Sequence, residues 1–161
     1  MVKLNQQLPM PESEETKTLK ILVDGVRGKV DFQLNADNGL DTKSGTLIAL
    51  VGTITVFYVS IIESYYCTVA LIPLVILAIS AYFLLQALRS QKYNSGLIDV
   101  YDETKQYRAM SEHELLNQLL SDYQKAFDDN SAILIAKNRD YKSGLSFFLI
   151  SIFLMVIFKL F

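Results

Sequence analysis

The residues best placed to do chemistry in this chain are small and hydroxyl side chains set in apolar stretches. Thr46, Ala49, Thr53 and Ser60 fall in one such stretch, and Ser146 and Ser151 in another. Such side chains serve two purposes. They let helices approach closely, or they wet a pore whose apolar neighbours close it by dewetting. Gly45, Ala49 and Thr53 recur at every fourth position, the small-xxx-small spacing of close helix contact. A pore lined this way has no charged ring and discriminates ions poorly. A coupled transporter would more often carry a carboxylate or base within the membrane, and these stretches have none.

Catalytic constellations do not stand out. His113 is the single histidine and sits among acids on a capping turn. Asp128 and Asp129 are adjacent, so their side chains diverge on a helix. There is no Walker-type phosphate loop, no metal-ligand spacing and no nucleophile elbow. The single cysteine, Cys67, allows no disulfide within the chain. The expectation is a protein that is not an enzyme and uses no cofactor or metal.

The elements that must position these residues follow from where the charge lies. The chain has 161 residues, 51% of them hydrophobic, and a net charge of −2. Of its 15 basic and 17 acidic residues, all but Glu63 and Lys159 fall within residues 1–43 and 89–142. A soluble globular domain spreads its charges along the chain, so that class is set aside. The polar start is unlike a secretory signal peptide, and the small net charge provides no field for nucleic acid.

Three stretches are nearly free of charge: 18 residues over Gly45–Ile62, 24 over Tyr65–Leu88 and 16 over Ser143–Phe158. A helix of about 20 residues crosses a bilayer core. The first two qualify, and the third does so if Lys159 snorkels to the far interface. The resulting division is a segment over 1–44, a transmembrane helical hairpin over 45–88, a helical region over 89–142 and a C-terminal transmembrane helix over 143–161. Basic residues flank the spans but are absent from the Glu63–Ser64 turn. The positive-inside rule therefore puts 1–44 and 89–142 in the cytoplasm and the C-terminus outward. Tyr58, Tyr65 and Tyr66 are expected in an outer aromatic belt, and Pro73 as a kink in the second span.

Ser111 and Glu114 have the capping-box spacing that starts a helix. After it, Leu116, Leu120, Tyr123, Phe127, Asn130, Leu134, Lys137 and Tyr141 recur at spacings of four and three, a heptad seam. The seam fits either one face of an intrachain helical pair or a subunit interface in a homo-oligomer, in which Asn130 and Lys137 would fix register. Continuous with the third span, this helix would be about 76 Å long, with Ser143–Gly144 as a hinge. Over 16–40, Leu19, Leu22, Val23, Val26 and Val30 fit a helix, whereas Val30, Phe32 and Leu34 alternate like a strand. Helix is the reading adopted. Residues 91–110 read as a loop or small insert.

Basic groups offer places for an anionic ligand: Lys17, Lys20, Arg27 and Lys29 in one segment, Arg89, Lys92, Lys105 and Arg108 in the other. Lys137, Arg139 and Lys142 read as an anchor touching anionic lipid headgroups.

Two stretches carry a resemblance. Val30–Leu50 has an Asp-x-Lys-small motif, here Asp41, Lys43 and Ser44, just before the first span. Leu116–Phe161 has a Tyr, Asn and Lys spacing in a helix entering the last span. Both resemble small bacterial anti-phage membrane effectors: the SLATT proteins, the Pycsar transmembrane effectors and the Hailong-type effectors. The C-terminal third span fits the Hailong-type arrangement best. The resemblance implies an all-α integral membrane protein, homo-oligomeric and tetrameric, in the bacterial inner membrane. It implies an abortive-infection channel gated by a nucleotide or short oligonucleotide from a partner nucleotidyltransferase, with Asp41 and Lys43 at the cytoplasmic mouth. The residues alone leave two alternatives, a non-conducting scaffold that docks a partner protein and a holin-like lesion former.

Overall fold

The computed structural model describes residues 13–61, 67–89, 91, 93–96 and 110–160. Among the described residues the regular elements are three helices: α1 over Glu14–Ile61, α2 over Cys67–Leu88 and α3 over Glu112–Leu160. All three are long and apolar enough to cross a membrane. The Glu63–Ser64 turn, Tyr65, Tyr66, Lys92, Lys105 and Arg108 lie outside the described residues.

Residues 16–40 are helical, as adopted above. The strand-like alternation fails on burial: Val30 is 1% exposed and Phe32 74%, while Leu34 is half-buried. Burial instead follows a seven-residue period on α1, at Thr16, Val23, Val30, Ser44, Val51 and Tyr58. On α3 it recurs at Leu116, Tyr123, Asn130, Lys137, Gly144 and Ser151. Seven residues make almost two turns, so each series forms one seam. The glycines at 25, 28 and 39 lie off this seam, with open space where a Cβ would be, and so they do not interrupt it.

The chain forms two compact units, one of residues 1–30 with 94–127 and one of 31–93 with 128–161. In the first, Thr16, Val23, Val30, Leu116, Tyr123 and Ala126 are buried. The predicted capping box forms: the Ser111 amide donates to Glu114 Oε2 at 2.9 Å and the Glu114 amide to Ser111 Oγ at 3.4 Å. Lys20 pairs with Glu112 at 2.7 Å, and His113 lies 3.2 Å from Glu15. Gly96 takes φ +75° and packs against the Tyr123 ring where a side chain would collide. That combination of left-handed backbone and close approach selects glycine.

In the second unit α1 and α3 run in the same direction, because Gln33 meets Ser131 and Asp41 meets Lys137. Helix α2 runs opposite to α3: Ser80 Oγ donates to the Gly144 carbonyl and Ser151 Oγ to the Pro73 carbonyl, at 2.7 and 2.8 Å. Helix α2 continues through Pro73. Val51, Tyr58, Leu77, Leu84, Phe148 and Met155 form the apolar core. Tyr58 occupies a heptad position of α1 and is buried in this core. Phe57, Leu71, Val75, Leu85, Leu149 and Phe153 are largely exposed. That arrangement, apolar both inside and out, suits helices surrounded by lipid.

Candidate functional site

The end of the second unit that holds residues 31–44, Tyr93 and 128–142 has a polar interior. Three seam positions of α3 in sequence are Asn130, Lys137 and Gly144, and the facing stretch of α1 carries Gln33, Asp37 and Ser44. Asn130 is 0% exposed, Lys137 2% and Gln33 5%. Such burial of polar groups needs partners. The Gln33 amide donates to Ser131 Oγ at 2.7 Å. Ser44 Oγ is buried with no hydrogen-bond partner among the described residues.

Lys137 is the centre of this layer. Its Nζ lies 2.5 Å from Asp37 Oδ1 and 2.7 Å from Asp41 Oδ1. Asp37 and Asp41 are one helical turn apart, so both carboxylates reach the same ammonium. Tyr93, just beyond α2, donates its hydroxyl to Asp37 Oδ1 at 2.9 Å. Its ring centroid lies 5.9 Å from Lys137 Nζ, within cation–π range. Burial pulls the Lys137 ammonium down, but the hydrogen bonds and charges of Asp37 and Asp41 outweigh it and raise its pKa. Burial, then the hydrogen bond to Asp37 and the two carboxylate charges, push the Tyr93 phenol well above its usual range. The cluster is thus two carboxylates, one ammonium and one neutral phenol, and it joins α1, α3 and the chain after α2.

This corrects the reading of Lys137 as a lipid anchor, since a side chain 2% exposed and held by two carboxylates does not meet headgroups. Its seam position had already marked it as inward-facing. Asp37 was missed, although it lies seven residues from both Val30 and Ser44. Arg139 and Lys142 do remain exposed. They border a groove of about 600 Å³ with Asn138, Ser143 and Ser146.

The other expected site residues are distributed as follows. Thr46, Ala49, Thr53, Ser60 and Ser146 are exposed, and Ser151 is buried against α2. Thr46, Thr53 and Ser146 donate to carbonyls four residues back, and Ser60 to that of Phe57. The donors are satisfied within the helix and the oxygens remain free to accept from outside. Asp41 is half-buried, Lys43 exposed and Gly144 buried within an unbroken helix. Leu116, Tyr123 and Asn130 are buried within the single chain, whereas Leu120, Phe127 and Leu134 are half-buried. Lys17, Lys20, Arg27, Lys29 and Arg89 are exposed.

A family model described as PycTM, the Pycsar effector protein domain, matches residues 33–161. The matched region contains the whole Asp37–Asp41–Tyr93–Lys137 cluster and all three apolar stretches. No curated protein and no solved structure matches the chain.

Proposed function

The chain belongs to the Pycsar effector transmembrane family, and on that premise we propose that it is an oligomeric channel opened by a nucleotide signal. Among the three groups the sequence resembles, the Pycsar one is the family whose model matches. The protein is accordingly an anti-phage membrane effector. The proposal adds a conducting pore, several copies around one axis, and a nucleotide made by a partner cyclase or nucleotidyltransferase. The chain performs no chemistry on that nucleotide. Opening dissipates the potential of the bacterial inner membrane and stops the infected cell.

The observation that carries this reading is the exposed stripe of Thr46, Ala49, Thr53 and Ser60 along an otherwise apolar part of α1. Facing lipid, these groups gain nothing from the hydroxyl oxygens they leave free. Facing other copies around an axis, they give close packing and a wettable wall. The parallel course of α1 and α3 in the second unit keeps its two charged stretches at one end, as the positive-inside rule requires of a cytoplasmic face. Exposed Lys17, Arg27, Lys29 and Arg89 are suitable contacts for phosphate, repeated in every subunit.

The test is ion flux from liposomes containing the purified full-length protein, with cyclic mononucleotides and short oligonucleotides added outside. Flux that depends on a nucleotide and falls in Thr53→Leu supports the channel. Flux with no nucleotide dependence points to a lesion former. No flux from folded, oligomeric protein under any nucleotide leaves a scaffold.

A further inference from the structure

We propose that the Lys137–Asp37–Asp41 cluster is the lock that holds the resting packing of α1 against α3, and that its release is the conformational step of opening. This rests on the channel reading above. The lock itself is carried by geometry. Lys137 lies at a seam position, is 2% exposed and reaches Asp37 and Asp41 at once. Tyr93 bonds the same Asp37 oxygen from the chain after α2. Helices α1 and α3 and the chain after α2 are therefore tied at one point.

The neighbouring layers make that point decisive. On one side lie Asn130, Gln33 and Ser131, and on the other Ser44, Gly144 and Ser80. Leu84 packs against Gly144 in the second of these layers, but the other buried groups there and beside Lys137 are polar, so much of the cohesion of this end depends on polar contacts that must be made together. A buried ion cluster suits such a switch. It adds little net stability compared with an apolar core, yet losing one partner is costly and leaves buried charge that draws in water. Slipping α3 by one heptad would place Lys137 against Ser44 or Val30, where no carboxylate waits, so the lock also sets register. Asp41 is its accessible edge, with the side chain 39% exposed.

The experiment reads two signals from the full-length protein in bilayers and nanodiscs: conductance without and with nucleotide, and amide hydrogen exchange over residues 34–41 and 134–141. In Lys137→Met, nucleotide-free conductance and exchange in both segments are expected to rise about tenfold or more. The charge exchange Asp37→Lys with Lys137→Asp is expected to restore both. If Lys137→Met does not fold, Asp41→Asn, which keeps the Lys137–Asp37 pair, is expected to raise both signals and to lower the nucleotide concentration needed. Folded Lys137→Met with wild-type exchange and wild-type nucleotide-free current overturns the lock. If wild type is silent under every nucleotide, the channel reading fails by itself. Exchange then judges the lock: faster in Lys137→Met and restored in the charge exchange supports it, and unchanged exchange overturns it.

Discussion

Gly144 of α3 lies against Leu84 of α2 so closely that a Cβ on residue 144 would sit 2.7 Å from Leu84 Cγ. The Ser80 carbonyl oxygen is 3.2 Å from the same point. The contact is backbone to side chain and backbone to backbone, so neither partner yields easily. Gly144→Ala should therefore cost about 1–3 kcal/mol by overpacking. The measurement is thermal or denaturant unfolding in detergent. Leu84→Ala alone should also destabilise, and adding it to Gly144→Ala should recover part of the glycine loss. Simple addition of the two losses would count against the contact.

The charge cluster predicts an asymmetry between removing one partner and removing all. Lys137→Ala leaves Asp37, 13% exposed, without its cation and should cost about 3–5 kcal/mol, whereas Asp37→Asn leaves Lys137 paired with Asp41 and should cost less. Asp37→Leu combined with Asp41→Asn and Lys137→Met removes the charge together and should cost clearly less than Lys137→Ala alone. Unfolding of all three variants under one condition decides it.

The inter-helix hydroxyl bonds should contribute modestly. Ser80→Ala and Ser151→Ala remove the donors to the Gly144 and Pro73 carbonyls. Each should cost about 0.6 kcal/mol, the scale found for hydrogen bonds between membrane helices. The two bonds are separate, so the double variant should be close to additive.

The start of α3 should respond to acid. Hydrogen bonds from the Ser111 amide and then from its hydroxyl hold the Glu114 carboxyl below its usual value of 4.5. A group whose pKa falls on folding stabilises above its unfolded value and loses that contribution as pH drops through the folded one. Amides at 112–115 should thus exchange faster, relative to the rest of α3, as pH is taken from 6 to 3 in measurements corrected for intrinsic rate. Glu114→Gln should remove most of that dependence. Ser111→Ala should cost about 1 kcal/mol at neutral pH through the lost cap.

Much of the architecture was legible in the residues. Charge-free runs of 18, 24 and 16 residues located the apolar parts of all three helices, and Ser111 with Glu114 marked where α3 begins. The spacing from Leu116 to Lys137 identified α3's inward face, where the structure buries Asn130 and Lys137 completely or nearly so. The site itself was half legible. A lysine at a seam position demands an acid opposite, but α1 offered Asp31, Asp37 and Asp41, and choosing among them needs the seam of α1. That seam is obscured by Ile21, Leu22 and Phe32, which are apolar yet exposed, and by glycines that break no helix here. Tyr93 had no signal at all, since its partner is 56 residues away across α2.

The most direct test of the account is planar-bilayer conductance of the purified full-length protein, with cyclic nucleotides and oligonucleotides applied to one face. A nucleotide-gated channel gives a silent bilayer that conducts when one of these nucleotides is added, with smaller currents in Thr53→Leu. A bilayer that stays silent under every nucleotide, with protein shown to be folded and oligomeric, contradicts it.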